Sequence, residues 1–303
     1  MPSIRELRGR IRSVQNIQKI TKAMKLVAAA RQKKAQDRVT MARPYSEKIG
    51  DVMRDLVAST GGNAAAAISD AGAVSPAARE AEQLLMRRDV QSHGLLVISG
   101  ERGLCGSYNT NILRRAMETI RGIPRDRIRV IAVGKKAIVF FQKRGYRVVM
   151  AESMPAAGAP FDLASKVGAA TRRLYASCEV DTVHLVFTRS LSAMSQRPTV
   201  QTLLPVEIDQ GERKARRAEY LYEPSAPELL STLVPRYVDT LIYQAILDAN
   251  AGEQGARMIA MSSATDNAKE VETRLTLVAN RVRQAAITNE ILEVVGGAEA
   301  LRD

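Results

Sequence analysis

The chain has 303 residues, enough for one large domain or two ordinary ones. Aromatic residues make up only 4 % and Trp is absent, which favours long helices packed through small aliphatic side chains over a thick β-sandwich core. No run approaches the roughly 18 apolar residues that a membrane-spanning helix needs. The two Cys and two His residues have no spacing typical of a metal or redox site, so composition argues against those classes of function.

The net charge of +13 is unevenly distributed. Residues 1–43 contain twelve Lys and Arg against two acidic residues, Glu6 and Asp37, which leaves ten of the thirteen excess positive charges in this segment. A basic segment of this kind binds nucleic acid, anionic lipid or an acidic protein surface. Composition alone does not choose among the three.

The first predicted element is a helix over residues 3–57. Together with the two residues before it, this helix makes up the predicted N-terminal coiled-coil segment, residues 1–57. Ser3 and Glu6 form a capping-box pattern at its start. At about 1.5 Å per residue this helix is roughly 80 Å long, too long to be buried in one compact domain. Its apolar face must therefore find a partner. The predicted face consists of Ile4, Leu7, Ile11, Val14, Ile17, Ile20, Met24 and Val27.

Residues 58–89 are predicted to be a loop or insert, because Ala, Gly and Ser dominate residues 58–80. Over 90–210 short apolar runs alternate with helical patterns, which predicts an open, Rossmann-like α/β sheet. The predicted helices cover 109–121, 135–144 and 161–178. The predicted strands are Gly94–Ser99, Ile128–Val133, Tyr146–Met150, Thr182–Thr188 and Val200–Val206.

A second long helix is predicted within residues 220–300, starting near Ser225 and Glu228. Gly252 and Gly255 inside it each cost roughly 1 kcal/mol relative to Ala, and the sequence offers no reason for them. The predicted fold is therefore α/β, with the two terminal helices paired as an antiparallel coiled coil. The heptad face of the second helix is predicted from Met261, Ala264, Ala268, Val271, Leu275, Val278, Val282, Ala285, Asn289 and Leu292.

No motif in the sequence points to catalysis by the chain itself. The glycines of Gly100–Gly106 do not have the dinucleotide-binding spacing, and the phosphate-loop motif is absent, so a tight turn is the favoured interpretation. We predict no catalytic residue, no metal site and no cofactor. The alternative function is that of a basic coiled-coil adaptor for RNA or DNA, although the basic helix lacks the interleaved aromatic residues that such proteins use.

Three ordered motifs resemble the gamma subunits of rotary ATP synthases. They are the N-terminal run SVQNIQKITKAM (13–24), the central RGLCG (102–106) with Asn109, and a C-terminal group formed by ARMIAM (256–261), ATDN (264–267) and RQAAIT (283–288). The resemblance spans nearly the whole chain except roughly 58–90 and 207–217. It implies a central rotor shaft that carries torque from a membrane ring, driven by protons or sodium ions, to a catalytic head.

The resemblance also implies partners and contact residues. The expected partners are the alpha and beta subunits, the epsilon subunit and the c-subunit ring, with no nucleic acid. Membrane association is expected only through the complex, on the cytoplasmic face of a bacterial plasma membrane or, alternatively, at a thylakoid or mitochondrial inner membrane. The expected contacts with the catalytic hexamer are Lys22, Met24, Lys25, Arg283, Gln284 and Thr288, and those with the ring are Tyr220, Tyr222 and Glu223.

Overall fold

The computed structural model describes residues 3–70, 75–155, 161–192, 195–208 and 222–300, the last five of these by backbone alone. These residues fall into two compact units. Unit 1 contains the described residues up to Ala29 and from Arg257 onward, and unit 2 runs from Ala30 to Ala256. Each of the two long helices contributes residues to both units. Within the described part of the chain, no helix is long and apolar enough to cross a membrane.

The described elements alternate between helix and strand through the middle of the chain, as predicted. The sheet order is β3-β2-β1-β4-β5, with β5 antiparallel to β4 and the other neighbours parallel. The helices are α1 (Ile4–Ser59), α2 (Ala64–Asp70), α3 (Pro76–Leu85), α4 (Tyr108–Thr119), α5 (Lys135–Lys143), α6 (Phe161–Ala176) and α7 (Ala226–Ala300). The strands are β1 (His93–Ile98), β2 (Ile128–Val133), β3 (Arg147–Glu152), β4 (Thr182–Ser190) and β5 (Gln196–Leu204).

The sheet of unit 2 is covered on both faces, because parallel strands connected by helices bury both sides. On one face, α4 and α5 pack over Leu95, Val97 and Val130. On the other face, α3, α6 and the unit-2 portions of α1 and α7 pack over alternate residues of the same strands, including Leu96 and Leu185. The predicted α/β sheet is confirmed.

Prolines explain where some predicted boundaries differ. Pro198 lies inside β5, which begins four residues before the predicted run. This strand is at the edge of the sheet, where a residue without an N–H is tolerated. Pro44 and Pro235 lie inside α1 and α7 without ending them. The predicted start of α1 is confirmed, since the Glu6 amide donates to Ser3 Oγ at 3.2 Å.

The prediction of a loop over residues 58–89 is wrong, because α2 and α3 lie there. Ser75 and Pro76 start α3 rather than a turn: the Ala78 amide donates to Ser75 Oγ at 3.2 Å, and Pro76 occupies the first turn, where its missing N–H has no cost. Leu84 of α3 is buried in the main core of unit 2. The alanines that suggested flexibility are good helix formers once a cap and a buried face are present.

The two helices of unit 1 are antiparallel, as predicted. Gln15 Nε2 donates to Glu272 Oε1 at 2.7 Å, the Thr21 and Thr265 hydroxyl oxygens lie 2.8 Å apart, and Lys25 Nζ donates to Ser262 Oγ at 3.0 Å. As the residue number on α1 rises from 15 to 25, that of its partner on α7 falls from 272 to 262. The register is therefore held by polar contacts.

Candidate partner-binding surfaces

The seam between the helices of unit 1 is rich in polar and small side chains. We define the seam by the buried and half-buried residues that recur at steps of three and four. Its members include Gln18 and Thr21 on α1 and Glu272 on α7, all of which a helix pair usually leaves to solvent. On α1 the seam consists of Ile4, Leu7, Ile11, Val14, Gln18, Thr21, Met24, Lys25 and Ala28, and on α7 of Met261, Thr265, Ala268, Glu272, Leu275, Ala279, Val282 and Ala286.

The predicted apolar faces are correct in part. On α1 the prediction holds through Val14 and again at Met24, which is half-buried, whereas Ile17, Ile20 and Val27 are exposed. On α7 the predicted Val271, Val278, Ala285, Asn289 and Leu292 are exposed, and Glu272, Ala279 and Ala286 take the inner positions. At several of these positions a large aliphatic side chain suggested the stripe in the sequence, whereas the seam uses a smaller or polar neighbour, as Glu272 replaces Val271 and Ala279 replaces Val278.

The exposed large aliphatic residues of unit 1 form what we call the aliphatic surface. On α1, Ile17, Ile20 and Val27 are separated by three and seven residues, which keeps them near one side of the helix, whereas Leu26 lies on another side. Each member on α1 is half or more exposed. The surface comprises Ile17, Ile20, Leu26 and Val27 on α1 and Ile259, Val271, Leu277, Val278, Ile287, Ile291, Leu292, Val294 and Val295 on α7.

The α1 residues expected to contact the hexamer differ in exposure. Lys22 is exposed, whereas Met24 and Lys25 are half-buried. Lys25 is already engaged within unit 1 through its bond to Ser262. Of these three, Lys22 is the side chain most available to another subunit.

All three expected contacts on α7 are exposed. Arg283, Gln284 and Thr288 lie within two turns of the helix, and Thr288 Oγ1 donates to the Gln284 carbonyl at 3.0 Å. The exposure of Arg283 and Gln284 agrees with their predicted position outside the seam. The neighbouring Ile287 and Ile291 belong to the aliphatic surface.

The α1 and α7 groups do not form one site. Lys25 lies beside Ser262, which is 21 residues before Arg283 along α7. At 1.5 Å per residue the two groups are separated by about 30 Å along the helix pair. They therefore provide two distinct contact levels in unit 1.

The residues expected to contact the ring belong to unit 2. Tyr220 lies outside the described residues. Tyr222 is half-buried and packs against the main core, so it contributes to the start of α7. Glu223 is exposed. Because its side chain is exposed, Glu223 is the residue of this group, among those that the structure describes, that can contact another subunit.

A buried ion cluster joins three helices of unit 2, and sequence patterns did not reveal it. Arg172 of α6 donates through Nε to Glu80 Oε1 of α3 at 2.8 Å and pairs through Nη1 with Asp239 of α7. The side chains of Arg172 and Asp239 are only 12 % and 11 % exposed. Gly168 lies against Asp239, where a Cβ would overlap Oδ1. These residues are far apart in sequence, so only the tertiary fold brings them together.

The described residues contain no group of three or more His, Cys, Asp or Glu side chains placed to hold a metal ion. The loop after β1 is fixed by its own polar contacts: the Gly100 amide donates to Asn109 Oδ1 at 2.9 Å, and Glu101 Oε2 accepts from the Lys135 and Met154 amides at 3.1 Å. These bonds support the predicted tight turn.

Comparison with known proteins shows the family to which the chain belongs. A family model described as "ATP synthase" matches residues 3–301. The ATP synthase gamma chain of Desulforamulus reducens is 44 % identical over 301 residues, covering 99 % of this chain and 100 % of the relative. That of Heliobacterium modesticaldum is 44 % identical over 308 residues with the same coverage. The chain belongs to the ATP synthase gamma chain family. The predicted resemblance is confirmed.

Solved structures agree on the fold of the gamma chain. A chain of the Euglena gracilis mitochondrial ATP synthase (OSCP/F1/c-ring, rotational state 3) matches with a TM-score of 0.68 and 19 % identity, over 98 % of this chain and 94 % of that one. A chain of the Tetrahymena thermophila central stalk/c-ring structure matches with a TM-score of 0.58 and 22 % identity, over 81 % and 99 %. These structures share the fold of this chain, and the family assignment gives no support to the nucleic-acid alternative.

Proposed function

We propose that this gamma chain carries torque between an ion-driven c ring and a catalytic hexamer of alpha and beta subunits, with the epsilon subunit as a further partner, and performs no bond chemistry itself. The observation that carries the proposal is the aliphatic surface of unit 1. A helix pair that folded for its own stability would place Ile17, Ile20 and Val27 in its seam. Here they are exposed and polar residues are inside.

An exposed aliphatic surface suits a rotating contact. Large exposed apolar patches on a protein mark interaction sites. Apolar contacts are non-directional, so the free energy of the interface changes little as one surface moves past another. We infer that the alpha and beta subunits surround unit 1 and contact this surface throughout the rotation.

Charged and polar residues supply the contacts that depend on rotor angle. Arg283 and Gln284 are exposed beside Ile287, and Lys22 is exposed on α1. A guanidinium makes paired, charge-assisted bonds to a carboxylate, which Lys does not reproduce in geometry. We propose that Arg283, Gln284, Thr288 and Lys22 contact the hexamer, with Met24 and Lys25 acting mainly through the seam. Rotor angle then biases each beta subunit among its conformations.

Unit 2 supplies the contact with the membrane ring in this proposal. Glu223 is exposed immediately before α7 and is the proposed ring contact, together with Tyr220. Tyr222 supports the position of this segment by packing on the core. The bacterial relatives favour the cytoplasmic face of a bacterial plasma membrane over a thylakoid or mitochondrial membrane.

The test is coupling in the reconstituted complex. Arg283→Ala is compared with Arg281→Ala, an exposed arginine two residues away on the same helix. ATP synthesis, ATP hydrolysis and ATP-driven ion pumping are measured in vesicles, alongside thermal unfolding of the complex. We expect Arg283→Ala to slow turnover or lower the ions pumped per ATP, with unfolding unchanged, and Arg281→Ala to behave as the wild type. Equal behaviour of the two variants would remove Arg283 from the contact surface.

A further inference from the structure

The sheet of unit 2 has a topological switch point between β1 and β4. The connection leaving β1 passes through α4 on one face of the sheet, and the connection entering β4 passes through α6 on the other. In open α/β sheets of this kind, ligands bind outside the carboxyl ends of the two strands at this point. In this chain those ends are Ser99–Gly100 and Thr188–Ser190.

Residues 248–253 of α7 lie at this position. The Tyr108 hydroxyl, at the first residue of α4, donates to the Ala249 carbonyl at 2.8 Å, and both residues are buried. A Cβ on Gly100 would lie 3.0 Å from Glu253 Cδ, so the first glycine of the loop touches the helix directly. The start of α4, where this fold class places phosphate groups, is thus in contact with the chain's own helix.

The end of β4 meets the same segment. The Ser190 amide donates to the carboxylate of Asp248, and Gln244 Nε2 lies 3.5 Å from Asp248 Oδ2. Asp248 is buried, and this burial raises the pKa of its carboxyl group while these hydrogen bonds lower it. Both strands that border the switch point are therefore in contact with residues 248–253.

Gly252, unexplained by the sequence, has a role in this contact. A Cβ added there would lie 3.4 Å from both Thr188 Cγ2 and Tyr108 Cε2 and 3.5 Å from Gln196 Cγ. One carbon fits at van der Waals distance, and a sulfur bonded across the contact to a cysteine at position 188 would take the place of the Thr188 side chain. A side chain as long as leucine would push α7 away from the sheet. The close approach of helix and sheet therefore restricts position 252 to small residues, although alanine, which a helix favours over glycine by about 1 kcal/mol, would also fit.

We propose that residues 248–253 of α7 act as the built-in occupant of the ligand crevice of the α/β domain and form the joint through which that domain turns with the shaft. The proposal rests on the proposed torque function. Tyr108 and Gly252 are its positioning residues. The crevice stays closed at every rotor angle, and its role is mechanical rather than ligand binding.

A reversible covalent lock tests whether the crevice stays closed. Thr188→Cys with Gly252→Cys places two cysteines in contact, since a Cβ on Gly252 would lie 3.4 Å from Thr188 Cγ2, one of the two positions at which a cysteine at 188 would carry its sulfur. The buried Thr188 hydroxyl has no hydrogen-bond partner in the described structure, so cysteine is a mild replacement. Each single-cysteine variant is the matched control.

We expect the oxidised double variant in the assembled complex to synthesise ATP and pump ions within about twofold of its reduced form. Loss of both on oxidation, restored by reduction, would show that the crevice must open and would overturn the proposal. The second arm is a titration of Mg-ATP onto the full-length double variant in its reduced and oxidised forms. Binding of Mg-ATP that disappears on oxidation would contradict a permanently closed crevice.

Loosening the joint gives the opposite test. Tyr108→Phe removes one hydroxyl, and we expect amide exchange in residues 248–253 to quicken about fivefold, the effect of one typical hydrogen bond. Gly252→Leu separates α7 from the sheet. We expect the number of ions pumped per ATP hydrolysed to fall about twofold or more, while ATP hydrolysis itself persists. Unchanged pumping per ATP with Gly252→Leu, in a complex of normal thermal stability, contradicts the joint. If the wild-type chain itself supports no pumping, the torque function fails instead.

Discussion

In unit 2 the sheet and its helices enclose aliphatic and aromatic side chains, among them Leu96 and Phe141. In unit 1 the helix pair encloses Gln18, Thr21 and Glu272 and leaves aliphatic residues outside. The burial of apolar surface stabilises a fold by roughly 25 cal/mol per Å². Unit 2 therefore obtains most of its stabilisation from apolar side chains that it buries within itself. Under the proposed function, another subunit covers the exposed aliphatic residues of unit 1 and completes its apolar burial.

The units also differ in how they use charge. Arg172 of unit 2 is buried between two carboxylates from other helices, whereas Arg274 of unit 1 pairs with Glu270 one turn away at the surface. A buried pair is costly to break, and an exposed pair contributes little. The buried pairs of unit 2 thus hold one geometry, whereas unit 1 presents an exposed surface.

The largest expected effect comes from breaking the buried cluster. Arg172→Met leaves Asp239 and Glu80 without their cation, and we expect a loss of about 3–5 kcal/mol in the free energy of unfolding. Arg274→Met, where the side chains of the pair are 73 % and 70 % exposed, should change it by less than about 0.5 kcal/mol. Denaturant unfolding of the full chain measures both. Equal losses would contradict the contrast between the units.

One methyl group added in each unit gives effects of opposite sign. Gly168→Ala in α6 forces a Cβ onto Asp239 Oδ1, and we expect a loss of about 1–3 kcal/mol. Gly9→Ala in α1 meets no atom within 4 Å, and we expect a gain of about 0.5–1 kcal/mol from helix propensity. Amide exchange assigns each change to its unit. A gain at Gly168 would show that the close approach is not constrained.

The pH dependence of stability should arise in unit 2, which contains both histidines of the chain. Burial lowers the pKa of His93 and of His184, and the adjacent His93 lowers the pKa of His184 further, while Asp181 raises the pKa of His93. Their rings are stacked with centroids 6.1 Å apart. The unfolded chain therefore takes up protons more readily than the folded one below the ordinary histidine pKa of about 6.5.

It follows that the contribution of the neutral pair to stability is present above pH 6.5 and is lost as the pH falls below it. We expect His93→Gln with His184→Gln to flatten the decline between about pH 7 and pH 5 in chemical unfolding. Asp239 and Asp248 have raised pKa values and act in the opposite direction, so the difference between wild type and double variant isolates the histidines. A steeper decline in the double variant contradicts the assignment.

The features that the sequence predicts well are those encoded by long or alternating patterns. Helix α1 and the strands of unit 2 appear at nearly the predicted positions, because burial on both faces of a sheet produces continuous apolar runs. The prediction that Ile17, Ile20 and Val27 lie in the seam is wrong. Hydrophobicity in the sequence does not show whether a side chain packs on the partner helix or on another subunit. A signal for α3 was available in Ser75 and Pro76, which start a helix as readily as a turn.

The sequence predicts residues of the candidate site only where they are close to one another along the chain. Arg283 and Gln284 are neighbours on one helix, and their exposure followed from the heptad pattern. The cluster of Glu80, Arg172 and Asp239 joins three helices, and the contact of Gly252 with Tyr108 joins residues 144 positions apart in sequence. Such pairs depend on the tertiary fold, which local periodicity does not encode.

The smallest expected effect on stability belongs to the aliphatic surface, and it separates folding from assembly. Ile20→Thr removes an exposed side chain, so we expect the free energy of unfolding of the full chain to change by less than about 0.5 kcal/mol. Leu96→Thr, the same kind of change in the buried core of unit 2, should cost several-fold more. In reconstitution with alpha and beta subunits, Ile20→Thr should nevertheless weaken incorporation, because the contact it loses lies with those subunits. If Ile20→Thr destabilises the isolated chain as much as Leu96→Thr does, then Ile20 is a core residue of unit 1, and the aliphatic surface is not a partner-binding surface.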